Sequence, residues 1–300
     1  MDPKVLLVMV SLCFFLQLSS GKESLLGLAK GSSSTPFDPS RVTQIAWSPR
    51  AFVYKGFLTD EECAHLISLA QGKLVKSLVA DDKAGQFQFV VGEHRTSSGM
   101  FLAIAQDEIV AGIEAKIATW TFLPQENGEN LQILHYGIGQ KYEPHVDYLY
   151  DNNDLEVATG NRVATVLMYM SDVEKGGETV FPGSHARGSD NKTECASYGY
   201  AVKARKGDAL LFFSLHPNMT VDPSSLHGSC PVITGEKWSA TKWIHTRSLV
   251  MKRVVADGVC ADENPSCPGW ALEGECEKNP LYLMGSEYNV GYCRKSCGMC

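Results

Sequence analysis

Two histidines and one aspartate have the spacing of a metal site. His145 and Asp147 stand at positions i and i+2, just after Pro144. Proline favours extended backbone at the residue before it, so the pair is expected on a strand, where residues two apart project from one face. His227 is expected to arrive from another strand. Two imidazoles and a carboxylate on one side of an ion leave three coordination positions open, as in non-haem iron oxygenases.

This signal has alternatives, because His-x-Asp alone is weak in a chain with eight histidines. Zinc accepts the same ligands, but a zinc hydrolase also needs a general base, and none is obvious. The remaining histidines outside the motifs are interpreted as core or surface residues: His65, His94, His135, His185 and His216.

A lysine strengthens the metal hypothesis. Lys237 follows His227 by ten positions and comes just after the turn Thr234-Gly-Glu236. Between two strand-like segments it could point into a barrel, where a buried ammonium needs an anionic partner. A dicarboxylic cosubstrate would supply that partner. The alternative is an ordinary surface lysine.

The elements that must position these residues are mostly strands. Two amphipathic helices are expected first, one after the capping box Thr59-Asp-Glu-Glu62 and one over Gln106–Trp120, with Ile109, Val110, Ile113 and Ile117 on one face. The expected strands are 131–136, 162–170, 177–181, 200–203, 209–214 and 237–246. The fold class is therefore mainly β with flanking helices (α+β), in a closed or doubly layered architecture such as a jelly roll. The polar loops at 151–160 and 183–197 are expected to be functional.

Composition limits the function classes. The net charge is −7 and the pI is near 5.6, which argues against nucleic acid as the main partner. Residues 1–21 read as a signal peptide or signal-anchor, since the apolar stretch from Val5 to Leu18 is short for a bilayer. Residues 22–44 read as a stem or linker, 45–248 as the main domain. Either form of the leader sends the rest of the chain into the secretory lumen.

The cysteines and two sequons agree with that compartment. Six of the ten cysteines fall between Cys260 and Cys300, which indicates disulfides in an oxidising lumen. A zinc site over the last two cysteines is the competing idea. Asn191 and Asn218 begin glycosylation sequons. Cys13 lies in the leader. Of the other three cysteines we expect Cys195 to pair with Cys230, and Cys63 to be a buried free thiol.

Several motifs in order resemble the prolyl 4-hydroxylases, closest to the plant and green-algal type. The resemblance spans about residues 45–248. It is carried by His135-Tyr-Gly-Ile-Gly-Gln-Lys-Tyr-Glu-Pro-His-Val-Asp147, Gly176-Gly-Glu-Thr-Val-Phe-Pro182, Lys206-Gly-Asp-Ala-Leu-Leu-Phe-Phe-Ser214, His227-Gly-Ser-Cys-Pro231 and Lys237-Trp238.

The resemblance implies a double-stranded β-helix oxygenase core and a set of roles. His145, Asp147 and His227 would hold Fe(II). Lys237 would pair with the distal carboxylate of 2-oxoglutarate, assisted by Tyr136 and Thr179. The implied substrate-groove residues are Glu129, Tyr142, Arg162, Trp243 and His245. The implied reaction converts peptidyl proline to 4-hydroxyproline with O2 while 2-oxoglutarate becomes succinate and CO2, with L-ascorbate restoring oxidised iron.

The C-terminal residues 257–300 resemble a ShKT domain, the fold of a sea-anemone potassium-channel toxin. That resemblance implies the pairs Cys260–Cys300, Cys267–Cys293 and Cys276–Cys297, whereas the sequence itself leaves fifteen pairings open. A module this small needs disulfides, because its hydrophobic core alone cannot stabilise it. Its expected role is to help bind substrate or partners.

The resemblance therefore predicts a prolyl 4-hydroxylase of the endoplasmic reticulum, with the Golgi as a second candidate compartment, that acts on proline-rich secreted cell-wall proteins in polyproline II form. It is expected to be lumen-facing, with the leader as a candidate membrane anchor and with related hydroxylases as candidate partners in homo- or hetero-oligomers. The alternatives are a hydroxylase of another residue such as lysine, and a non-catalytic secreted binding module.

Overall fold

The computed structural model describes residues 37–81, 88–90, 92–149, 160–184, 193–249, 261–262, 264, 266–286 and 289–299. The expected leader 1–21 lies outside them, as do Asn191, His185 and most of the two expected functional loops. In the described part of the chain, no helix combines the length and the apolar character that crossing a membrane requires. The predicted domain limits stay predictions, although the first strand already begins at Val42, inside the expected linker.

The larger of two facing sheets is built from eight antiparallel strands. Their order across the sheet is β1 (Val42–Trp47), β2 (Arg50–Tyr54), β13 (Ala209–Phe213), β9 (Arg162–Tyr169), β16 (Lys237–His245), β7 (Leu131–Tyr136), β6 (Ser98–Leu102) and β3 (Val75–Lys76). The alternating apolar pattern of these segments puts one face of the sheet against the second sheet and the other against helices.

The smaller sheet has four antiparallel strands, in the order β12 (Tyr200–Val202), β11 (Thr179–Phe181), β14 (His227–Ser229) and β8 (Tyr142–His145). One apolar cluster joins the two sheets, since Phe181 and Val202 of the small sheet pack with Leu134, Tyr169 and Phe212 of the large one. The two layers confirm the expected mainly β, doubly layered architecture.

Short two-stranded ribbons complete the set of strands. They pair β10 (Lys175–Gly176) with β15 (Val232–Thr234), β4 (Val79–Asp81) with β5 (Gln88–Val90), and β17 (Gly285–Ser286) with β18 (Asn289–Val290). The expected strand over 177–181 is shorter than predicted and begins at Thr179. Gly176 and Gly177 both have positive φ, at 81° and 67°, which breaks the strand at that point.

Two helices cover the outer face of the large sheet. Helix α1 (Asp60–Ala70) begins at the predicted capping box, where Thr59 and Glu62 exchange hydrogen bonds. Helix α2 (Glu108–Thr121) starts two residues later than expected, because the Asp107 side chain accepts from the backbone N–H groups of the first turn.

The apolar face of α2 agrees with the prediction at three of four positions. Val110, Ile113 and Ile117 are buried, whereas Ile109 lies in the first turn and is 37% exposed. A buried ion pair fastens the same helix to the sheet, since Lys242 of β16 contacts Glu114 and neither side chain is more than 3% exposed. The order of elements was predicted incompletely: β1, β2 and β3–β6 precede or separate the helices rather than following them.

The C-terminal module contains three short helices, α3 (Cys267–Leu272), α4 (Glu275–Lys278) and α5 (Pro280–Leu283). Disulfides join Cys267 to Cys293 and Cys276 to Cys297, which are pairs the ShKT resemblance implied. The third implied pair, Cys260–Cys300, lies outside the described residues.

The main domain contains the expected Cys195–Cys230 disulfide. Cys63 is a buried free thiol, as expected, and burial raises its pKa to about 11, so it is inert at neutral pH.

Candidate active site

Neighbouring strands of the small sheet bring the three predicted metal ligands together. His227, at the start of β14, is the direct cross-strand partner of His145, at the end of β8. Asp147 was expected on the same strand as His145 but lies just beyond its end. One ligand atom from each of the three residues lies within 4.8 Å of the other two.

Backbone carbonyls fix the two imidazoles for metal binding. His145 Nδ1 lies 2.8 Å from the Glu143 carbonyl oxygen, and His227 Nδ1 lies 2.9 Å from that of Ser225. A carbonyl oxygen only accepts hydrogen bonds, so each Nδ1 carries the proton and each Nε2 keeps its lone pair. Both Nε2 atoms face Asp147, at 3.7 Å and 3.6 Å from its carboxylate oxygens.

The electrostatics keep His145 neutral and Asp147 charged. Burial lowers the pKa of His145, and the neighbouring His227 lowers it further, to about 3. Burial alone would raise the pKa of Asp147, but the imidazoles and Arg162 outweigh it and lower the pKa to about 2. Two imidazoles whose Nε2 atoms face the same carboxylate are the donor set that Fe(II) oxygenases use, so the residues present fit ferrous iron.

An open cavity lies beside these ligands, with an empty volume of about 450 Å³ that includes solvent at its opening. The inner faces of both sheets line it, together with Arg95 and the metal-ligand residues. The predicted site residues on its wall are Tyr136, Tyr142, His145, Asp147, Thr179, His227, Lys237 and Trp243.

Lys237 is a buried basic residue on the wall of this cavity. It is 1% exposed, and its Nζ donates to Ser229 Oγ over 2.9 Å. Burial lowers its pKa to about 7, and only the charge of Glu178 opposes this. None of the carboxylates in the described ranges forms an ion pair with it. A dianionic ligand would therefore pair with the amino group and raise its pKa, so that the charged ammonium form is favoured.

Tyr136 and Thr179, the predicted cosubstrate contacts, both lie on the wall of the cavity that contains Lys237. The Lys237 Nζ lies 5.4 Å from the centre of the Tyr136 ring. Thr179 Oγ1 shares a hydrogen bond of 2.8 Å with the Tyr169 hydroxyl. Both residues are buried and line the cavity.

The five expected substrate-groove residues divide into two groups. Tyr142 and Trp243 line the cavity, whereas the other three form a bonded network that is not part of its wall. In that network Glu129 Oε1 accepts from Arg162 Nε and lies 2.7 Å from His245 Nε2. The network supports the cavity wall, since the Arg162 guanidinium lies 4.3 Å from the centre of the Trp243 ring.

Stacking orders the mouth of the site around Tyr142. Its ring lies 3.6 Å from the His145 ring, nearly parallel to it, and the Arg95 guanidinium lies 4.6 Å from the same ring. Arg95 is 7% exposed and lines the cavity, and its Nε has no hydrogen-bond partner among the described residues. The sequence offered no pattern that would have identified this arginine.

Four of the five histidines interpreted as core or surface residues are described, and they lie away from the cavity. His65, His94, His135 and His216 each lie near one carboxylate, and none lines the cavity.

Known proteins match the chain along its whole length. The model of the 2OG-Fe(II) oxygenase superfamily matches residues 131–245, and that of ShK domain-like sequences matches residues 259–300. Probable prolyl 4-hydroxylase 7 of Arabidopsis thaliana is 56% identical, covering 100% of this chain and 99% of its own. Probable prolyl 4-hydroxylase 6 of the same plant is 61% identical, covering 92% of this chain and 96% of its own. The chain belongs to the prolyl 4-hydroxylase family.

As a prolyl 4-hydroxylase, the chain is an oxygenase that depends on Fe(II) and 2-oxoglutarate, with a ShK-like module at its C-terminus. A solved structure is also similar, the viral collagen prolyl hydroxylase of Paramecium bursaria Chlorella virus-1 in complex with 2-oxoglutarate. It shares 26% identity, with a TM-score of 0.48, over 65% of this chain and 94% of its own.

Two further polar residues of the prolyl 4-hydroxylase cavity were not singled out from the sequence. Thr165 donates to Asp147, and Ser239 lies between Lys237 and Trp243 on the inner face of β16. Strand alternation is the signal that could have found Ser239, because it lies two residues from Lys237 in a strand that was predicted.

Proposed function

We propose that this prolyl 4-hydroxylase acts on proline-rich secreted polypeptides, holding Fe(II) through His145, Asp147 and His227. The supporting observation is that these three residues converge beside a cavity that also contains the buried Lys237. A metal site and an unpaired ammonium on one cavity match a cosubstrate that chelates iron at its keto-acid end and carries a second carboxylate.

Lys237 is the proposed partner of the distal carboxylate, with Tyr136 and Thr179 completing that end of the cavity. The ammonium has three donors, of which Ser229 uses one. The others are free to bind a carboxylate. Because the surroundings are buried, this ion pair forms in a low dielectric and excludes water from the cosubstrate.

When bound, Fe(II) and 2-oxoglutarate supply the oxidising power from O2, and 2-oxoglutarate leaves as succinate and CO2. The chain positions the reacting groups. The carbonyl-bonded imidazoles hold their Nε2 atoms toward Asp147, and Thr165 holds the carboxylate. Geometry of this kind is what a protein contributes to a cofactor reaction.

The substrate proposal rests on the aromatic wall of the cavity. Trp243 is 8% exposed, and its indole N–H has no acceptor in the described part of the chain. Tyr142 is held in place by stacking on His145. A polyproline II chain has no internal hydrogen bonds, so its carbonyl groups are available to such a donor, and its rings suit an aromatic wall.

The network of Glu129, Arg162 and His245 is proposed to orient the substrate-facing wall. Burial raises the pKa of Glu129, but the charge of Arg162 outweighs burial and lowers it overall. The carboxylate therefore stays charged and keeps its hydrogen bonds to Arg162 and His245. Arg162 packs on Trp243, which fixes the direction of the indole N–H.

Product analysis tests the proposal. The purified enzyme is incubated with Fe(II), 2-oxoglutarate, ascorbate and an extensin-like proline-rich peptide, with His227→Ala as the inactive control. We expect succinate and peptide with mass increments of one oxygen atom, identified as 4-hydroxyproline by amino-acid analysis. Hydroxylation of a lysine peptide without hydroxylation of the proline peptide would contradict the proposal. Absence of any turnover would favour a non-catalytic binding module.

The endoplasmic reticulum is the proposed site of action. Three disulfides are present in the described residues, which agrees with an oxidising compartment. Asn218 is exposed and is proposed to carry a glycan, because its Oδ1 accepts from the Thr220 hydroxyl of the same sequon.

Ascorbate is the proposed reductant of iron that has been oxidised in uncoupled turnovers. Membrane anchoring and association with related hydroxylases are proposed for the leader and the folded domain, respectively.

The ShK-like module is proposed to help bind substrate or partners. Truncation before Ala256 should raise the KM for long proline-rich substrates and leave short peptides unaffected. Unchanged kinetics on both would contradict this role.

A further inference from the structure

An exposed aromatic side chain lies on the large sheet just outside the cavity. Phe101 of β6 is 52% exposed and does not line the cavity. In the strand register it stands directly opposite Gln132 of β7. Gln132 in turn stands opposite Thr241 of β16, which lines the cavity. Side chains that are directly opposite in an antiparallel sheet project from the same face, so Phe101 lies on the inner face of the sheet, beyond the cavity wall.

The packing of the neighbouring residues gives Phe101 the same orientation. Met100 and Leu102, on either side of it, pack in or against the apolar cluster that includes helix α2. A Cβ on Gly99 would meet the side chain of Leu134, which belongs to the cluster between the two sheets. Because side chains alternate along a strand, Phe101 shares the face of Gly99 and points away from the helices.

Two buried donors indicate the path of a bound peptide across this face. The Trp243 indole N–H, which we assign to a substrate carbonyl, is one of them. The other is Arg95 Nε, which belongs to a buried residue of the cavity wall and has no partner in the described ranges. Arg95 Nη2 donates over 2.9 Å to the side chain of Gln132, the residue opposite Phe101. A chain that places carbonyl groups at both donors therefore crosses from β16 to β7 and continues toward Phe101.

We propose that Phe101 forms an outer subsite that binds a second proline ring of the substrate, three to four residues along the chain from the proline in the cavity. This inference rests on the proposed function and extends it to the spacing of prolines in the substrate. The ring of Phe101 offers an exposed apolar face on the side of the sheet where the peptide is bound. Aromatic surfaces are what proteins use to bind the prolines of a polyproline II helix.

The strand geometry supports this spacing. Phe101 and Trp243 lie on strands separated by β7, which puts them two strand spacings apart, and they are offset by two positions along the strands. Their backbones are therefore roughly 12 Å apart. A polyproline II chain rises about 3.1 Å per residue and has three residues per turn, so three to four residues cover a distance of this size.

The subsite makes the enzyme selective for runs of proline rather than for an isolated proline. Polyproline II segments keep their shape when they bind, so a second aromatic contact adds affinity at a small entropic cost. A chain without prolines at the outer positions does not make this contact. Phe101 is thus a specificity-determining residue.

Peptide kinetics with the full-length enzyme test the assignment. The first peptide has a central proline and further prolines three and four residues away on both sides, and the second has alanine at those outer positions. Hydroxylation of the central proline is followed by fragmentation mass spectrometry. The wild type should have a kcat/KM about fivefold higher for the first peptide, as expected for one added contact with an aromatic ring. Phe101→Ala should lose this preference, whereas Phe101→Trp should keep it.

Phe122→Ala is the matched control. Phe122 is another exposed phenylalanine, at the end of helix α2, and it does not line the cavity. Its replacement should leave kcat/KM for both peptides unaffected. The inference is overturned if Phe101→Ala keeps the wild-type preference, or if it loses activity equally on the two peptides, because an equal loss would indicate a purely structural role.

The wild-type result separates this inference from the proposed function. If the wild type hydroxylates both peptides with equal efficiency, the proposed function stands and the outer subsite is wrong. If it hydroxylates neither peptide, the proposed function itself is wrong.

Discussion

The Thr165 hydroxyl donates to Asp147 Oδ2 over 2.7 Å, and both side chains are buried. Thr165 belongs to the large sheet, whereas Asp147 follows the last residue of a strand in the small one. One hydrogen bond therefore connects the two layers at the proposed metal site. It compensates for the position of Asp147 outside a strand, where backbone pairing does not hold it.

Replacing this hydroxyl should weaken metal binding. Thr165→Val keeps the shape of the side chain but frees Asp147 to rotate away from the histidines. We expect a 10- to 100-fold loss of Co(II) affinity, the usual effect of removing a partner of a metal ligand. Titration of the apoprotein followed by the absorption spectrum of bound Co(II) measures it.

Thr121→Val is the control for loss of a buried threonine hydroxyl. Thr121 bonds to the carbonyl of Ile117 within helix α2 and does not line the cavity. It should leave Co(II) affinity unchanged. Equal losses in the two variants would mean that Thr165 only stabilises the fold.

Binding of 2-oxoglutarate should depend on pH through Lys237. Burial lowers the pKa of the free lysine to about 7, and a bound dianion raises it again. The ammonium is present below pH 7 without cost, whereas above pH 7 binding must take up a proton. Affinity is therefore full below pH 7 and falls about tenfold between pH 6 and pH 8, and calorimetry in buffers of different ionisation enthalpy should detect the proton uptake.

Lys237→Arg tests the origin of that dependence. A guanidinium stays charged throughout this range, so the variant should bind more weakly but with an affinity that is flat from pH 6 to pH 8. A slope that persists in Lys237→Arg would assign the titration to another group.

The sequence predicted the chemistry of the site better than its surroundings. His145, Asp147, His227 and Lys237 carry reactive groups at a recognisable spacing, and the structure brings them to one cavity. Strand alternation and capping predicted most of the elements behind them. The residues that hydrogen-bond to the metal ligands were missed, because they are common residue types. Thr165 is an example, since its role depends on which strand lies opposite.

Long-range pairing explains the remaining errors. Strand β2 lies next to β13 only because distant segments meet in the sheet, and nothing local in either segment specifies that partner. Arg95 reaches the cavity from a segment without strand periodicity, so its burial follows from the tertiary fold alone.

The Lys242–Glu114 pair should contribute strongly to stability. Both groups are buried, and Glu114 Oε2 also accepts from the Ala105 backbone N–H. Glu114→Gln leaves the ammonium without its charged partner and should cost about 3–5 kcal/mol in the free energy of unfolding, measured by urea denaturation. The double variant Glu114→Gln with Lys242→Met should recover part of that loss.

An exposed ion pair in the same domain provides the comparison. Lys206 contacts Asp60 at the surface, where the Asp60 side chain is 81% exposed. Lys206→Gln should lower the free energy of unfolding far less than Glu114→Gln does, because solvent screens the exposed pair. If Glu114→Gln costs as little, the pair between helix α2 and the sheet is not a stabilising contact.

Trp243→Phe should separate peptide binding from cosubstrate binding. Phenylalanine keeps an aromatic ring beneath the Arg162 guanidinium but lacks the indole N–H, the buried donor that we assign to a substrate carbonyl. Loss of one hydrogen bond of about 1 kcal/mol should raise the KM for a proline-rich peptide about fivefold. The KM for 2-oxoglutarate should not change, because Lys237, the proposed partner of that ligand, lies at the other end of β16. A variant with an unchanged peptide KM would show that the indole N–H donates to no substrate carbonyl, and the aromatic wall alone would then account for recognition.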